Sequence, residues 1–177
     1  MLVVLGLALA AGVGALSARL AAPSASATDT TAAGASVPAV PAVSQADAPC
    51  ALLTSAQRRQ LGVNPGTQNS SGGEVTCLWR SIARQPWGGE YLAKVLHGAT
   101  PAGSPAPAIN NRPTVEYQPA GLDQNAYCVY LVTVAPDRTL WVQYGGPGQE
   151  GINHVVACRR AQAAASSMSS TFGTLPK

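Results

Sequence analysis

The sequence predicts an α+β domain: an antiparallel sheet with a short N-terminal helix and a C-terminal helix packed on it, held by two disulfides. Three observations predict it. Residues 127–135 are an apolar run that leads through Pro136-Asp137 into a second strand-like run, 139–144, which is a hairpin signature. Residues 155–172 carry one apolar stripe at helical spacing. Cys50, Cys77, Cys128 and Cys158 are an even set spread across this stretch, the usage of small exported domains.

The chain opens on a leader. Residues 2–16 are apolar or glycine throughout. A membrane helix needs roughly twenty such residues, whereas a shorter run suits the core of a signal peptide. Ala25-Ser26-Ala27 supplies an A-x-A cleavage pattern. Residues 1–27 are therefore expected to be a signal peptide, cleaved there or retained as an N-terminal anchor. No Lys or Arg precedes the apolar run, and Arg19 follows it. Residues 28–46 hold Ala, Thr, Ser, Pro, Val and Gly with one charge, too little large apolar surface to fold, and read as a disordered linker.

The single folded domain is expected over residues 47–175. Leu52 and Leu53 open a short helix, with Thr54 as N-cap and Gly62 as the stop. Asn64-Pro65-Gly66 is a turn, and a Ser/Gly loop follows. Residues 75–82 alternate, placing Cys77 and Trp79 on one face and Thr76 and Arg80 on the other. Residues 91–97 are a second strand, and 100–113, rich in Pro, Gly and Asn, are a loop. Residues 127–135 are apolar on both faces and suit a central strand. Residues 145–151 are a glycine-rich loop. In the last helix Cys158, Ala161, Ala165, Met168 and Phe172 form the stripe, with Arg159, Ser166 and Ser170 off it. Trp79 and Trp141 are expected in the core.

Composition excludes some functions. Charged residues make up 11% of the chain and the net charge is +3, with only Arg58-Arg59 and Arg159-Arg160 as adjacent basic pairs. That is no nucleic-acid footprint. There is no C-x-x-C and no Cys/His set at zinc-finger spacing, so no metal and no cofactor is expected. His97 ends a strand and His154 precedes the last helix; neither has a G-x-S-x-G elbow, and no catalytic residue is assigned. A Glu90–Glu116 dyad is left open as the one carboxylate pair for glycoside chemistry. Gly145-Gly146-Pro147-Gly148 lacks the Gly-Lys-Ser/Thr of a phosphate cradle. Trp87, in a Pro-Trp-Gly-Gly loop, together with Gly145, Gly146 and Gly148, is a candidate binding edge, because loops on a rigid scaffold carry recognition.

Pro49-Cys50-Ala51-Leu52-Leu53-Thr54, Cys77-Leu78-Trp79, Gly121 ahead of Cys128-Val129-Tyr130, and Cys158 at the start of the last helix together resemble the actinobacterial domain of unknown function 3558 family. The resemblance covers about residues 47–172 and is carried by the order and spacing of the four cysteines with Trp79. It implies a cell-envelope, lipoprotein-like setting and no established activity. This chain departs from the usual family pattern, since no lipobox cysteine precedes Cys50. Of the three pairings that four cysteines allow, Cys50–Cys77 and Cys128–Cys158 are favoured, each closing a loop of about 30 residues.

These observations lead to an extracellular or cell-envelope protein, exported by its N-terminal signal. It is expected to be a non-enzymatic binding or interaction module for a wall polymer, a lipid or another exported protein. It would touch a membrane only through an uncleaved leader, and it has no nucleic-acid partner. The alternatives are a secreted hydrolase with a dispersed site and a purely structural surface protein.

Overall fold

The computed structural model describes residues 48–82, 88–123, 125–146 and 151–175. The chain divides into Met1–Pro38 and Ala39–Lys177, and every described residue belongs to the second unit. The leader and linker, Trp87 and Gly148 lie outside the described residues.

A 3-10 turn, Pro49–Leu52, precedes helix α1, Ser55–Leu61. Thr54 starts α1 through a capping box: its Oγ1 accepts from the Gln57 backbone N–H at 3.3 Å, and Gln57 Oε1 accepts from the Thr54 N–H at 2.8 Å. Gly62 ends it in the left-handed region at φ 66. The helix thus begins at Ser55, not at Leu52. The cap fixes its start, and Leu52 and Leu53 are buried in the core ahead of it.

Seven antiparallel strands follow: β1 Thr67–Ser71, β2 Glu74–Arg80, β3 Glu90–His97, β4 Ser104–Pro105, β5 Thr114–Tyr117, β6 Tyr127–Ala135 and β7 Arg138–Gly145. Their order is β1-β2-β3-β7-β6-β5-β4. The β6–β7 hairpin is central, because β7 pairs with β3 on its other edge and β6 with β5. Three strands differ from expectation: β4 lies within the expected 100–113 loop and pairs with β5. The Ser/Gly loop contains β1, which pairs with β2, and residues after Pro113 form β5.

Helix α2, His154–Phe172, packs across one face of β6 and β7. Asn153 caps it, its Oδ1 accepting from the Val156 N–H at 3.0 Å. Ala157, Ala161, Ala164, Ala165 and Met168 are fully buried, and the small alanines let the helix settle close to the sheet. From the sheet, Cys77, Trp79, Tyr91, Ala93, Cys128, Tyr130, Val132, Leu140, Val142 and Tyr144 complete the core. Register places them on one face: Cys77 opposes Ala93, which opposes Val142, which opposes Tyr130. Gly66 is needed here, because a Cβ would collide with Cys77 Sγ and the Trp79 indole.

Side chains lock the helices to the rest of the domain. Gln57 Nε2 donates to Ser167 O at 3.1 Å, and Thr171 Oγ1 donates to Gln57 Oε1 at 3.1 Å. Asn110 holds the 98–113 segment to α2 by donating to Ser166 O at 2.7 Å and Ser169 Oγ at 2.8 Å.

Trp141 is not in this core. It opposes Leu131 and Lys94, so it sits on the other sheet face, half-buried. Tyr117 meets its ring edge-on with centroids 5.1 Å apart, and Lys94 Nζ lies 4.9 Å from the ring centroid. Alternation decides the outcome: Leu140 and Val142 point to α2, so Trp141 points away.

Two disulfides crosslink the domain, Cys50–Cys77 and Cys128–Cys158. The first ties the opening turn to β2, and the second ties the first turn of α2 to β6. They indicate an oxidising environment. Among the described residues, no helix is long and apolar enough to cross a membrane.

Candidate functional site

The sequence-selected residues scatter. His97 ends β3, exposed. Glu90 does not meet Glu116; its Oε1 accepts from Arg80 Nε at 2.8 Å, and β3 is separated from β5 by β7 and β6. Gly145 and Gly146 are buried, where a Cβ on either would press on Tyr127 or Ile152 respectively. The Gly146 N–H donates to Ala126 O at 3.1 Å.

The fold instead assembles a cluster that the sequence reading treated as separate residues. His154 is the first residue of α2, and Cys158 lies one turn on, so both project from the same side of the helix. The Cys128–Cys158 disulfide pins that turn against β6. Beside β6 runs β5, in which Glu116 opposes Tyr130 and therefore shares the face that carries Cys128. His154 Nε2 and Glu116 Oε1 are 3.0 Å apart. His154 Nε2 lies 3.5 Å from Cys158 Sγ, and Nδ1 lies 3.3 Å from Tyr127 O. The ligand-type atoms of Glu116, His154 and Cys158 all fall within 4.8 Å of one another. Burial first, and then the Glu116 charge, raise the Tyr130 pKa.

The cavity beside this cluster, walled by Tyr117, Pro119, Leu122 and Val129, offers about 10 Å³. That is room for about one water or one ion. That cavity admits no substrate, and a separate open space of about 340 Å³ reaches Glu116 along Ala102, Gly103 and Ser104 but is not lined by His154. The sulfur nearest His154 is half of a disulfide and is no nucleophile.

A larger space opens at the other end of α2. A cleft of about 390 Å³ lies between the β6–β7 turn and the helix C-terminus. Val134, Ala135, Pro136, Phe172 and Leu175 make its walls apolar, and Arg138 lines it as the charged member. A second guanidinium borders it. Arg112 Nη1 donates to Val134 O at 2.7 Å, and Arg112 Nη2 is 3.4 Å from where a Gly173 Cβ would sit. The volume is within the usual range for small-molecule sites, and an apolar wall with a few polar groups is their usual lining. Sequence reading missed this cleft because its residues come from a turn and a helix end, with no shared motif.

Comparison with curated proteins finds no match, and comparison with solved structures finds none. The family model described as "Protein of unknown function (DUF3558)" matches residues 10–171. With most of its length inside that match, the chain belongs to the DUF3558 family of proteins of unknown function.

Proposed function

We propose that this protein is an exported cell-envelope module that binds a partner without transforming it, and that its binding site is the cleft between the β6–β7 turn and the end of α2. The observation that carries the reading is a cleft of about 390 Å³ with apolar walls and the Arg138 guanidinium in its lining, while Arg112 stands beside it on the Val134 carbonyl. Such a site fits an amphipathic anion: an apolar body against Val134, Phe172 and Leu175, and a carboxylate or phosphate head toward Arg138 and Arg112. Arginine suits this work because its planar fork pairs bidentately with such heads. A lipid of the envelope has that chemistry, whereas an uncharged wall glycan lacks the apolar body. The leader and the two disulfides support export. A hydrolase would need a nucleophile at the His154–Glu116 pair, but the sulfur beside His154 is held in a disulfide, and the 340 Å³ space that reaches Glu116 is not lined by His154.

Native mass spectrometry of the full chain, purified from its own envelope, tests the reading. The expected result is a co-purifying anionic lipid that is lost in Arg138→Ala. A bare wild-type chain, or a ligand held equally by Arg138→Ala and Phe172→Ala, would overturn it.

A further inference from the structure

The geometry points to a second site: we propose that the Cys128–Cys158 disulfide is the oxidised, metal-free form of a zinc-class centre made by Cys128, Cys158, His154 and Glu116. These four residues supply the two thiolates, imidazole and carboxylate from which tetrahedral zinc sites are built.

The distances favour this over a chance cluster. A tetrahedral zinc ion with Zn–N near 2.05 Å and Zn–S near 2.3 Å holds its nitrogen and sulfur about 3.5 Å apart. His154 Nε2 and Cys158 Sγ are 3.5 Å apart in the structure, with Nδ1 3.9 Å from the same sulfur, so the spacing matches and the imidazole must tilt to aim Nε2 at a shared ion. A nitrogen and a carboxylate oxygen on the same ion stand about 3.4 Å apart. His154 Nε2 and Glu116 Oε1 are at 3.0 Å, so a small rotation of the Glu116 side chain suffices. The 10 Å³ cavity beside them is of single-ion size. His154 Nδ1 faces the Tyr127 carbonyl at 3.3 Å, the outer hydrogen bond that orients a metal-binding histidine with Nε2 toward its ion. The two sulfurs must separate to about 3.8 Å to share one ion.

The chemistry balances in two steps. A dithiol reductant gives two electrons and two protons. Its own sulfurs join as a disulfide, while the Cys128–Cys158 bond breaks into two thiols. A divalent cation then binds both sulfurs as thiolates and displaces their two protons. The ion restores the crosslink between α2 and β6 that reduction removed. The ion and the oxidised bond therefore exclude each other.

The test uses the full chain, reduced by a phosphine that carries no thiol to compete for metal, and then titrated with Co²⁺. The reduced wild type is expected to bind one equivalent, with the visible bands of tetrahedral cobalt and sulfur-to-cobalt charge transfer, bleached by Zn²⁺. The oxidised chain gives neither. His154→Ala and Glu116→Gln, which keep every cysteine, should weaken binding at least tenfold. Cys50→Ala/Cys77→Ala should keep the spectrum, which separates this site from the other cysteine pair. No cobalt spectrum in the reduced chain, or the same affinity in His154→Ala and Glu116→Gln, would overturn the proposal. The second result would mean that loose thiols of an unfolded chain were binding the metal.

Discussion

Removing the Cys50–Cys77 bond by Cys50→Ala/Cys77→Ala should destabilise the domain by about 3.6 kcal/mol. The figure follows from the loop that the bond closes. The sequence separation is 27 residues, and for Cys128–Cys158 it is 30. In the chain-entropy model the cost of closing the unfolded loop grows only with the logarithm of its length. The two bonds should therefore be worth the same to within about 0.1 kcal/mol. Alanine is chosen over serine because Cys77 is fully buried, and a hydroxyl there would add its own desolvation cost. The assay is equilibrium urea unfolding of both double variants beside the wild type. With a slope near 2 kcal/mol/M, each midpoint should fall by about 1.8 M. The slope itself should rise slightly, because the uncrosslinked chain exposes more surface when unfolded. A loss under about 1 kcal/mol from either variant would refute the reasoning, since it would mean that the bond constrains nothing the fold does not already fix.

Three further outcomes follow from the packing. Met168 is fully buried between α2 and the sheet, so Met168→Ala should cost about 2–5 kcal/mol, while Val155→Ala on the exposed side of α2 should stay within about 0.5, both by urea midpoint. Thr54→Ala removes the capping box that starts α1 and should cost about 1 kcal/mol, seen as earlier amide exchange in residues 55–61. Burial raises the Tyr91, Tyr130 and Tyr144 pKa values, with the Arg160 charge offsetting part of the shift at Tyr91 and Tyr144. Unfolded tyrosines lose their protons near pH 10, before the folded ones do. Stability should therefore hold below about pH 10 and fall as pH rises through the folded values, and Tyr144→Phe should flatten that fall.

How far the sequence discloses the structure depends on whether burial leaves a pattern. β6 and α2 were readable because each buries a long apolar run or stripe. The cap at Thr54 was readable because the Thr-x-x-Gln spacing is local. β1 left no signal: Thr67–Ser71 is polar and exposed along its whole length, and only its pairing with β2 makes it a strand. β5 is four residues long and follows a proline, so it left no strand signal. Missing β5 also hid the metal-type cluster. The i,i+4 spacing of His154 and Cys158 is visible in the sequence, but Glu116 reaches them only because β5 lies beside β6. The cleft residues share no spacing at all, since a hairpin turn and a helix terminus meet there through tertiary packing.

The two candidate sites occupy opposite ends of one helix, and this permits a test of whether they act together. His154 begins α2 and Phe172 ends it, so about 18 steps of 1.5 Å place them roughly 27 Å apart. Substitutions at that separation, without shared partners, are expected to add independently. Glu116→Gln should leave lipid retention at wild-type level, and Arg138→Ala should leave the cobalt spectrum of the reduced chain unchanged. The paired variant should show both single effects and nothing more. A cobalt affinity that shifts tenfold when Arg138 is replaced would show that α2 moves as a rigid lever between two positions. The Cys128–Cys158 bond would then set the opening of the cleft, because it alone clamps the first turn of that helix covalently to the sheet.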